Sequence, residues 1–228
     1  MLLVSWSKYK AIILLIFVSL MSVVIVFCYT AFKPVEIPQE ESIIVSAPPE
    51  PCVEEADAND TMKKYVQLDN QEDMQLIKNI ESNTPLDFDT SCIIISYARK
   101  FNIKPSLILA MIDLESNFNQ FSVGTHEDRG YLQIIPPTEK WLIEEFGEEL
   151  DMEYDPERIF EPEYNIGLGT AYISLLSSAY GDNINRILSE YNRGPYNLKK
   201  FYEKHKTYET SYSRSILKRE KKYEHFNE

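Results

Sequence analysis

Apolar residues recur at intervals of three or four positions along most of this chain, which is the spacing of one face of an α-helix. The pattern is continuous from about residue 85 to the end, and no segment there alternates between apolar and polar residues as a half-buried strand would. We therefore predict that residues 85–228 form one mainly α-helical domain.

Capping residues, prolines and glycines divide this region into separate helices. Asp89 or Thr90 can cap a helix that ends near Phe101. Pro105 suits the first turn of the next helix, which ends near Glu115. Further helices are predicted at 138–147, 164–180, 183–191, 198–206 and 209–223, and glycines or a Gly-Pro pair close three of them.

The start of the chain carries a longer apolar segment. Residues 11–32 contain no charged side chain, and about 20 apolar residues are enough to cross a bilayer as a helix. Two lysines precede this segment and a single lysine follows it closely, which favours a cytoplasmic location for residues 1–10. A cleaved signal peptide is the alternative, but the bulky Tyr29 occupies the −3 position of the nearest candidate cleavage site. We predict an uncleaved single-pass anchor in the cell membrane, with the helical domain outside the cytoplasm.

Residues 33–84 are acidic and rich in proline. The first half of this segment holds five prolines and six glutamates, a composition that cannot bury enough apolar surface to offset the entropy of ordering. It is predicted to be an extended stalk between the membrane and the domain. The second half adds a short helical pattern, with Leu76, Ile77 and Ile80 on one face, that can dock onto the domain.

Composition narrows the classes of partner and cofactor. The net charge is −13, and an acidic protein lacks the basic face that nucleic-acid phosphates require. The three cysteines and three histidines do not show the spacing of a metal site, so no metal or other cofactor is predicted. A Cys52–Cys92 disulfide outside the membrane is a less favoured alternative to free thiols.

Glu115 is the residue with the clearest candidate chemistry. It stands at the end of an apolar helical run that begins at Leu107. Burial among apolar neighbours disfavours the charged form of a carboxyl group and therefore raises its pKa. A carboxylic acid that keeps its proton near neutral pH can protonate a leaving group. Glu115 is therefore our candidate for a general acid.

Four sequence blocks support this assignment when they are taken together. In chain order they are Glu-Ser-Asn-Phe-Asn at 115–119, Gly-Tyr-Leu-Gln-Ile-Ile-Pro-Pro-Thr at 130–138, Asn-Ile-Gly-Leu-Gly at 165–169 and Tyr-Asn-Arg-Gly-Pro at 191–195. A Glu-Thr-Ser-Tyr element follows at 209–212. This order and spacing resemble the catalytic domain of soluble-type lytic transglycosylases, a lysozyme-like fold related to goose-type lysozyme. The resemblance covers roughly residues 88–217.

The resemblance implies an enzyme that cleaves the β-1,4 bond between N-acetylmuramic acid and N-acetylglucosamine in the glycan strands of peptidoglycan. In this scheme Glu115 first protonates the glycosidic oxygen and then, as a base, deprotonates the muramyl C6 hydroxyl. That hydroxyl attacks C1 and gives a 1,6-anhydromuramyl product. Because the internal hydroxyl replaces water, one carboxyl group suffices where ordinary glycosidases use two.

The same blocks imply supporting roles for five other residues, each with a structural alternative. Ser116 is a candidate to hydrogen-bond the acid or the substrate, or it is a helix-end hydroxyl. Gln133 offers a donor and an acceptor to N-acetyl groups, or its amide braces a loop. Tyr191 is a candidate contact of the acid, or it is an aromatic residue of the core. Asn192 either contributes to the site or stabilises a turn. Tyr131 is a candidate to stack on a sugar ring, with packing in the core as its alternative.

Three features depart from the family pattern. Tyr131 and Leu132 stand where leucine and methionine are usual. Glu190 and Arg193 flank the Tyr-Asn pair where alanine is usual, and residues 126–129 make the loop before the glycine unusually charged. A muramidase on the same fold would use water, and inverting hydrolysis would need a second carboxylate about 6.5–9.5 Å from the first. Asp128 and Glu127 are the candidates for that group.

A third hypothesis belongs to a different class, an inactive membrane-tethered protein that binds glycan or assists assembly. The presence of Glu115 argues against it. For the active enzyme, a short tethered domain suits local wall opening for an envelope-spanning secretion or conjugation apparatus. It equally suits wall remodelling during growth.

Overall fold

The structure is a computed structural model that describes residues 71–227. Within this range it consists of seven α-helices and two short 3-10 helices, and strand pairing is limited to isolated bridges of Arg129 with Val123 and Ile134. The α-helices are α1 (Gln71–Asn83), α2 (Phe88–Phe101), α3 (Pro105–Ser116), α4 (Pro136–Leu150), α5 (Pro162–Tyr180), α6 (Ile184–His205) and α7 (Ser211–Tyr223). The prediction of a mainly α-helical fold is confirmed.

Helix α3 lies in the core. Its residues from Leu107 to Ile112 are all buried, and the helix packs mainly against α7. Full burial of one large apolar side chain contributes about 1.5–3 kcal/mol relative to exposure. The helix is entered at Pro105, which fits the first turn, and it ends where Asn117 adopts a left-handed conformation (φ 51°). This packing fixes the position of Glu115 in the last turn.

Helices α1 and α5 both pack against α2. The apolar pattern noted in the second half of the stalk segment belongs to α1, where Leu76, Ile77 and Ile80 are buried. An ion pair reinforces this contact, since Nη2 of Arg99 on α2 lies 2.7 Å from Oδ1 of Asp73 on α1. Helix α1 is thus attached to the rest of the helical domain.

The start of α2 differs from the prediction. Its N-cap is Asp87, whose carboxylate accepts a hydrogen bond from the backbone N–H of Thr90 at 2.7 Å. Asp89 and Thr90, the predicted caps, lie inside the first turn. Only the residue with an extended backbone (φ −77°, ψ 172°) can turn its side chain back to the free N–H groups, and that residue is Asp87.

The bounds of α4 also differ from the prediction. The helix begins at Pro136, two residues before the predicted start, and it continues through Gly147 to Leu150. Gly147 does not close the helix but permits a close approach, because a Cβ atom there would lie 2.7 Å from the carbonyl oxygen of Met152. The left-handed residue that ends the helix is Asp151 (φ 55°).

Helix α6 changes direction at Gly194, as the Gly-Pro pair predicts. Gly194 has φ 69° and ψ 163°, a conformation that other residues adopt only at a cost. The predicted helices at 183–191 and 198–206 therefore belong to two segments of α6 on either side of this kink. Asn183 caps the first segment by accepting a hydrogen bond from the N–H of Arg186.

Three predicted segments lie outside the described range: the cytoplasmic segment 1–10, the membrane anchor 11–32 and the stalk before residue 71. Within residues 71–227, no helix is long and apolar enough to cross a membrane. Cys92 is a free thiol buried in the core, where desolvation raises its pKa to about 12. Cys52 lies outside the described residues, so the alternative of a Cys52–Cys92 disulfide stays a prediction.

Candidate active site

A cleft of about 1290 Å³ opens beside the C-terminal end of α3. Its lining comes from the end of α3, the loop that joins α3 to α4, and helices α4, α5 and α6. Pockets for drug-sized molecules are usually about 300–1,000 Å³, so this volume suits an extended ligand. Glu115 and Gln133 both belong to the lining.

Glu115 lies in this cleft with most of its side chain covered by protein. Burial raises the pKa of its carboxyl group from the ordinary value of 4.5 to about 7. A hydrogen bond from the Tyr212 hydroxyl opposes this shift, and the negative charge of Asp128 adds to it. The carboxyl group is therefore protonated in a large fraction of molecules at neutral pH, and it can also lose its proton there.

Tyr212 is the direct partner of Glu115. Its hydroxyl donates a hydrogen bond to Oε1 of the carboxyl group, and burial holds the pKa of the phenol well above its usual range. The residue lies in the first turn of α7, which begins with a capping box formed by Thr210 and Ser213. Sequence reasoning gave Tyr212 no role. Its place at the end of the 209–212 block was the available signal.

Tyr191 lies near Glu115 but forms its hydrogen bond elsewhere. Its hydroxyl donates to the backbone carbonyl of Leu132 at 2.9 Å. Burial holds the pKa of Tyr191 well above the usual value, and the charge of Glu115 adds to this effect. Tyr191 thus connects α6 to the loop beside the acid. The hydrogen bond to the acid comes from Tyr212 and not from Tyr191.

Gln133 lines the cleft, but its amide nitrogen is used within the loop. Nε2 donates to the carbonyl oxygens of Ser122 at 3.1 Å and of Gly130 at 2.8 Å. The backbone of Gln133 is left-handed (φ 48°), which is uncommon for a residue other than glycine. The structure therefore favours the loop-bracing alternative for this nitrogen.

Asn165 holds the same loop from the side of α5. It is fully buried, and its Oδ1 accepts a hydrogen bond from the N–H of Leu132 at 2.8 Å. Its Nδ2 donates to the carbonyl oxygens of Arg129 and Ile159, each at 3.0 Å. Gly130 (φ 77°) makes this approach feasible, because a Cβ atom there would lie 2.2 Å from Nδ2. This buried amide therefore contributes three hydrogen bonds to the position of the loop beside the acid.

A buried ion pair fixes the charged part of the loop. Nη2 of Arg129 lies 2.6 Å from Oε2 of Glu139, which is fully buried in α4. The hydroxyl of Tyr164 donates to Oε1 of the same carboxyl group at 3.1 Å. Desolvation raises the pKa of Glu139, while Arg129 and Tyr164 oppose that shift by favouring the charged form. Arg129, which the sequence showed only as part of a charged stretch, thus has a structural role.

Two predicted site residues do not reach the cleft. The buried hydroxyl of Ser116 donates to the carbonyl oxygen of Ile112 at 3.0 Å, a bond to the preceding turn of its own helix. Tyr131 is 6% exposed and its side chain is hydrogen-bonded to Thr90, so it is not free to stack on a sugar. For both residues the structural alternative holds. Asn192, in contrast, is exposed and lines the cleft.

The charged loop brings one further carboxylate to the cleft. Asp128 is part of the lining, and its Oδ1 accepts a hydrogen bond from the N–H of His126 at 3.0 Å. Glu127, the other candidate, is exposed and outside the lining. Asp113 also lies outside the cleft, with Oδ2 3.0 Å from Nζ of Lys222. Among the described residues, no group of three or more histidine, cysteine or acidic side chains could hold a metal ion.

Sequence comparison decides the family. The family model described as the transglycosylase SLT domain matches residues 92–213, more than half of the chain. The chain belongs to this family. The resemblance drawn from the motif blocks is thereby confirmed. The SLT domain of this chain includes Glu115, the loop at 126–135 and Tyr212.

Curated relatives share part of this chain. The membrane-bound lytic murein transglycosylase C of Haemophilus ducreyi is 30% identical over 119 residues, which are 48% of this chain and 32% of the relative. The protein of the same name from Shigella sonnei is 32% identical over 107 residues, which are 42% of this chain and 29% of that relative. The chain thus spans about a third of the length of the curated relatives that it matches.

The fold of the SLT domain has a solved counterpart. The crystal structure of the 70 kDa soluble lytic transglycosylase from Escherichia coli matches with a TM-score of 0.51 at 18% identity. The match covers 74% of this chain and 32% of that one. At this identity the similarity shows the fold alone, and it confirms the lysozyme-like architecture.

Proposed function

We propose that the SLT domain of this chain is a lytic transglycosylase that cleaves the β-1,4 bond between N-acetylmuramic acid and N-acetylglucosamine in peptidoglycan. Glu115 acts as the single acid and base, and the product ends in a 1,6-anhydromuramyl group. The observation that carries the proposal is the pKa of Glu115, which burial beside a large cleft raises to about 7. The curated relatives carry the name lytic murein transglycosylase, which supports the same class of reaction.

A carboxyl group with this pKa suits both halves of the reaction. In the first half Glu115 gives its proton to the glycosidic oxygen, the bond from C1 to that oxygen breaks, and the N-acetylglucosamine side leaves as an alcohol. In the second half the Glu115 carboxylate takes the proton of the C6 hydroxyl while O6 bonds to C1, which restores the acid. A pKa near the working pH keeps both proton transfers close to balanced.

Product analysis tests the proposal. We expect mass spectrometry of the muropeptides released from purified peptidoglycan to show 1,6-anhydromuramyl ends, which are one water lighter than reducing ends. Release of reducing muramic acid ends would establish hydrolysis instead. No release of soluble products, together with retained binding to peptidoglycan, would favour the inactive glycan-binding hypothesis.

Hydrolysis is the second candidate, and the position of Asp128 in the cleft is the observation that favours it. We expect Asp128→Asn to separate the two reactions. A hydrolase that uses this carboxylate as its base loses about a hundredfold or more in rate. A transglycosylase keeps most of its activity and its 1,6-anhydro products. The measurement is the rate of muropeptide release with the end groups identified.

Asp128→Asn should also change the pH dependence of the cleavage rate. The charge of Asp128 raises the pKa of Glu115, so its removal lowers that pKa and moves the alkaline limb of the pH–rate profile to lower pH. Glu127→Gln removes the same charge from a neighbouring residue outside the cleft lining and is the matched control. An alkaline limb that moves upward in Asp128→Asn would contradict this electrostatic assignment.

Tyr212→Phe is expected to reduce kcat about tenfold, because a hydrogen bond to a charged group contributes about 1.5–3 kcal/mol. The bond from Tyr212 lowers the pKa of Glu115, so its loss raises that pKa and moves the alkaline limb to higher pH. Tyr154→Phe removes a hydroxyl from an exposed residue outside the cleft lining and is the control. An unchanged profile would show that Tyr212 does not act through the acid.

We also propose that the domain works outside the cytoplasm, held to the cell membrane by the anchor at 11–32. The charge pattern around that segment supports this, as do relatives described as membrane-bound. Wall opening for a secretion or conjugation apparatus and wall remodelling are the two settings that fit. Protease added to intact spheroplasts should remove the domain, and its protection there would contradict the location.

A further inference from the structure

One buried carboxylate of the cleft lining lacks a cationic partner among the described residues. That part of the chain buries three acidic residues, Asp73, Glu139 and Glu190. Asp73 and Glu139 each pair with an arginine, at N–O distances of 2.7 Å and 2.6 Å. No described lysine, arginine or histidine has a side-chain nitrogen within 4.0 Å of the Glu190 carboxylate. Because buried acidic side chains are almost always paired, Glu190 departs from the rule that the other two follow.

Glu190 presents one of its carboxylate oxygens to the cleft. The residue is 7% exposed and lines the cleft, and its Oε1 accepts a hydrogen bond from the Tyr180 hydroxyl at 2.8 Å. Its Oε2 accepts no hydrogen bond from the described residues, yet it is not one of the buried side-chain atoms that lack a partner. Oε2 is therefore accessible from the cleft, where a ligand can donate a hydrogen bond to it.

The cation one helical turn away packs against aromatic rings instead of pairing with Glu190. Arg186 lies four residues before Glu190 on α6, a spacing that allows an ion pair on a helix surface. Its guanidinium lies instead 3.8 Å from the ring centroid of Tyr180 and 4.9 Å from that of Tyr208. The negative charge of Glu190 is therefore left without a counter-charge at contact distance from the described part of the chain.

The charge of Glu190 acts on a different part of the cleft from the acid. Desolvation raises the pKa of Tyr172 to about 12 and also raises that of Tyr180, and Glu190 adds to both shifts. The carboxylate that adds to the raised pKa of Glu115 is Asp128. Glu190 is therefore placed to bind a group of the ligand away from the reacting bond.

We propose that Glu190 binds the free ammonium group of a glucosamine ring that has lost its acetyl group, so that the preferred glycan strand is partly de-N-acetylated. This inference rests on the proposed function, because it places a glycan strand in the cleft beside Glu115. An N-acetyl group is uncharged, whereas an ammonium group supplies both hydrogen-bond donors and the missing positive charge. The family usually has alanine at this position, so the preference is specific to chains that carry the carboxylate.

Two matched substrates test the proposal. Glycan strands are freed of their peptides by an amidase and of part of their acetyl groups by a deacetylase, and one portion is then chemically re-N-acetylated. We expect the wild type to cleave the amine-bearing strand about tenfold more efficiently in kcat/KM than the re-acetylated strand, the lower end of the effect of a hydrogen bond to a charged group. In Glu190→Gln this preference should disappear. Glutamine still accepts the hydrogen bond from Tyr180, so the variant should fold.

A matched control separates this effect from net charge. Glu203→Gln removes one negative charge from an exposed residue of α6 outside the cleft lining, and it should keep the wild-type preference. Glu190→Ala, which removes the carboxylate altogether, should lose the preference as the glutamine variant does. A wild type that cleaves both strands equally well would overturn the proposal, as would a preference that survives in both Glu190 variants.

A second pair of substrates separates the sugar from the peptide as the source of the ammonium group. These strands are fully N-acetylated and carry their peptides, whose amino groups are either free or chemically acetylated. We expect the cleavage of this pair not to depend on Glu190, because the group that it binds belongs to the sugar ring. A preference for free amines that requires Glu190 in this pair alone would overturn the assignment to glucosamine.

A binding measurement keeps this inference separate from the proposed function. In the Glu115→Gln background, where no cleavage is expected, Glu190→Gln should weaken binding of the amine-bearing strand several-fold relative to the re-acetylated strand. If the wild type cleaves neither strand, the proposed function fails while this binding result still decides the role of Glu190. Equal binding of the two strands before the Glu190 change would overturn that role.

Discussion

Replacing Glu115 with glutamine is expected to reduce peptidoglycan cleavage by about a thousandfold or more. General acid–base catalysis contributes about 10²–10⁴-fold, and this residue transfers a proton in both halves of the reaction. Glutamine keeps the shape of the side chain and can still accept the hydrogen bond from Tyr212, but it cannot give up a proton in the same way. The measurement is the initial rate of release of soluble muropeptides.

The stability of the same variant shows whether the loss is chemical. Because the pKa of Glu115 is about 7 in the folded chain and ordinarily 4.5, ionising it favours the unfolded state, and the wild type loses stability as the pH rises between these values. Glutamine cannot ionise, so Glu115→Gln should be more stable than the wild type at pH 8, by about 3 kcal/mol, and equal to it at pH 4.

The exposed Glu144 on α4 provides the matched control, since Glu144→Gln should change neither activity nor the pH dependence of stability. A Glu115→Gln protein that keeps more than about a tenth of the wild-type rate would remove the residue from the role of general acid. Equal stability of the wild type and Glu115→Gln at pH 8 would show that the carboxyl group is not desolvated in the folded state.

Features set by neighbouring residues could be predicted from the sequence. The end of α5 at Tyr180 follows from the glycine after it, and the entry to α3 follows from Pro105. Glu115 could be singled out because an apolar run precedes it directly. The prediction that Gly147 ends α4 was wrong because this glycine permits a close approach to the backbone of Met152. The neighbouring sequence gives no indication of such a contact.

The partners of the acid could not be predicted in the same way. Tyr212 is 97 residues from Glu115 in the sequence, and only the packing of α7 against α3 brings the two side chains together. Tyr131 and Gln133 lie in a loop without regular periodicity, so no pattern tells which side chain faces the core. A motif block therefore identified this loop without showing which of its residues could contact the substrate.

Asn165→Ala is expected to lower the free energy of unfolding by about 3 kcal/mol or more, since each buried polar group left without a partner costs about 1–3 kcal/mol. The change leaves the N–H of Leu132 and the carbonyl of Ile159 unpaired. It also removes one of the two hydrogen bonds to the carbonyl of Arg129, which still accepts one from the N–H of Ile134. For a domain of about 150 residues this corresponds to a melting temperature roughly 10 °C lower. Thermal and denaturant unfolding both measure it.

Asn165→Ala should also displace the loop beside Glu115 and thereby reduce activity. At a temperature where Asn165→Ala is still folded, we expect its cleavage rate to fall at least about tenfold, because small displacements of positioning groups carry large losses in rate. Asn165→Asp keeps an acceptor for the N–H of Leu132 but presents a carboxylate oxygen to two carbonyls, so it should be no more stable than the alanine variant. Asn83→Ala, which removes an exposed side-chain bond within α1, should cost less than about 0.5 kcal/mol. An Asn165→Ala protein as stable and as active as Asn83→Ala would show that the loop beside Glu115 is held by other contacts.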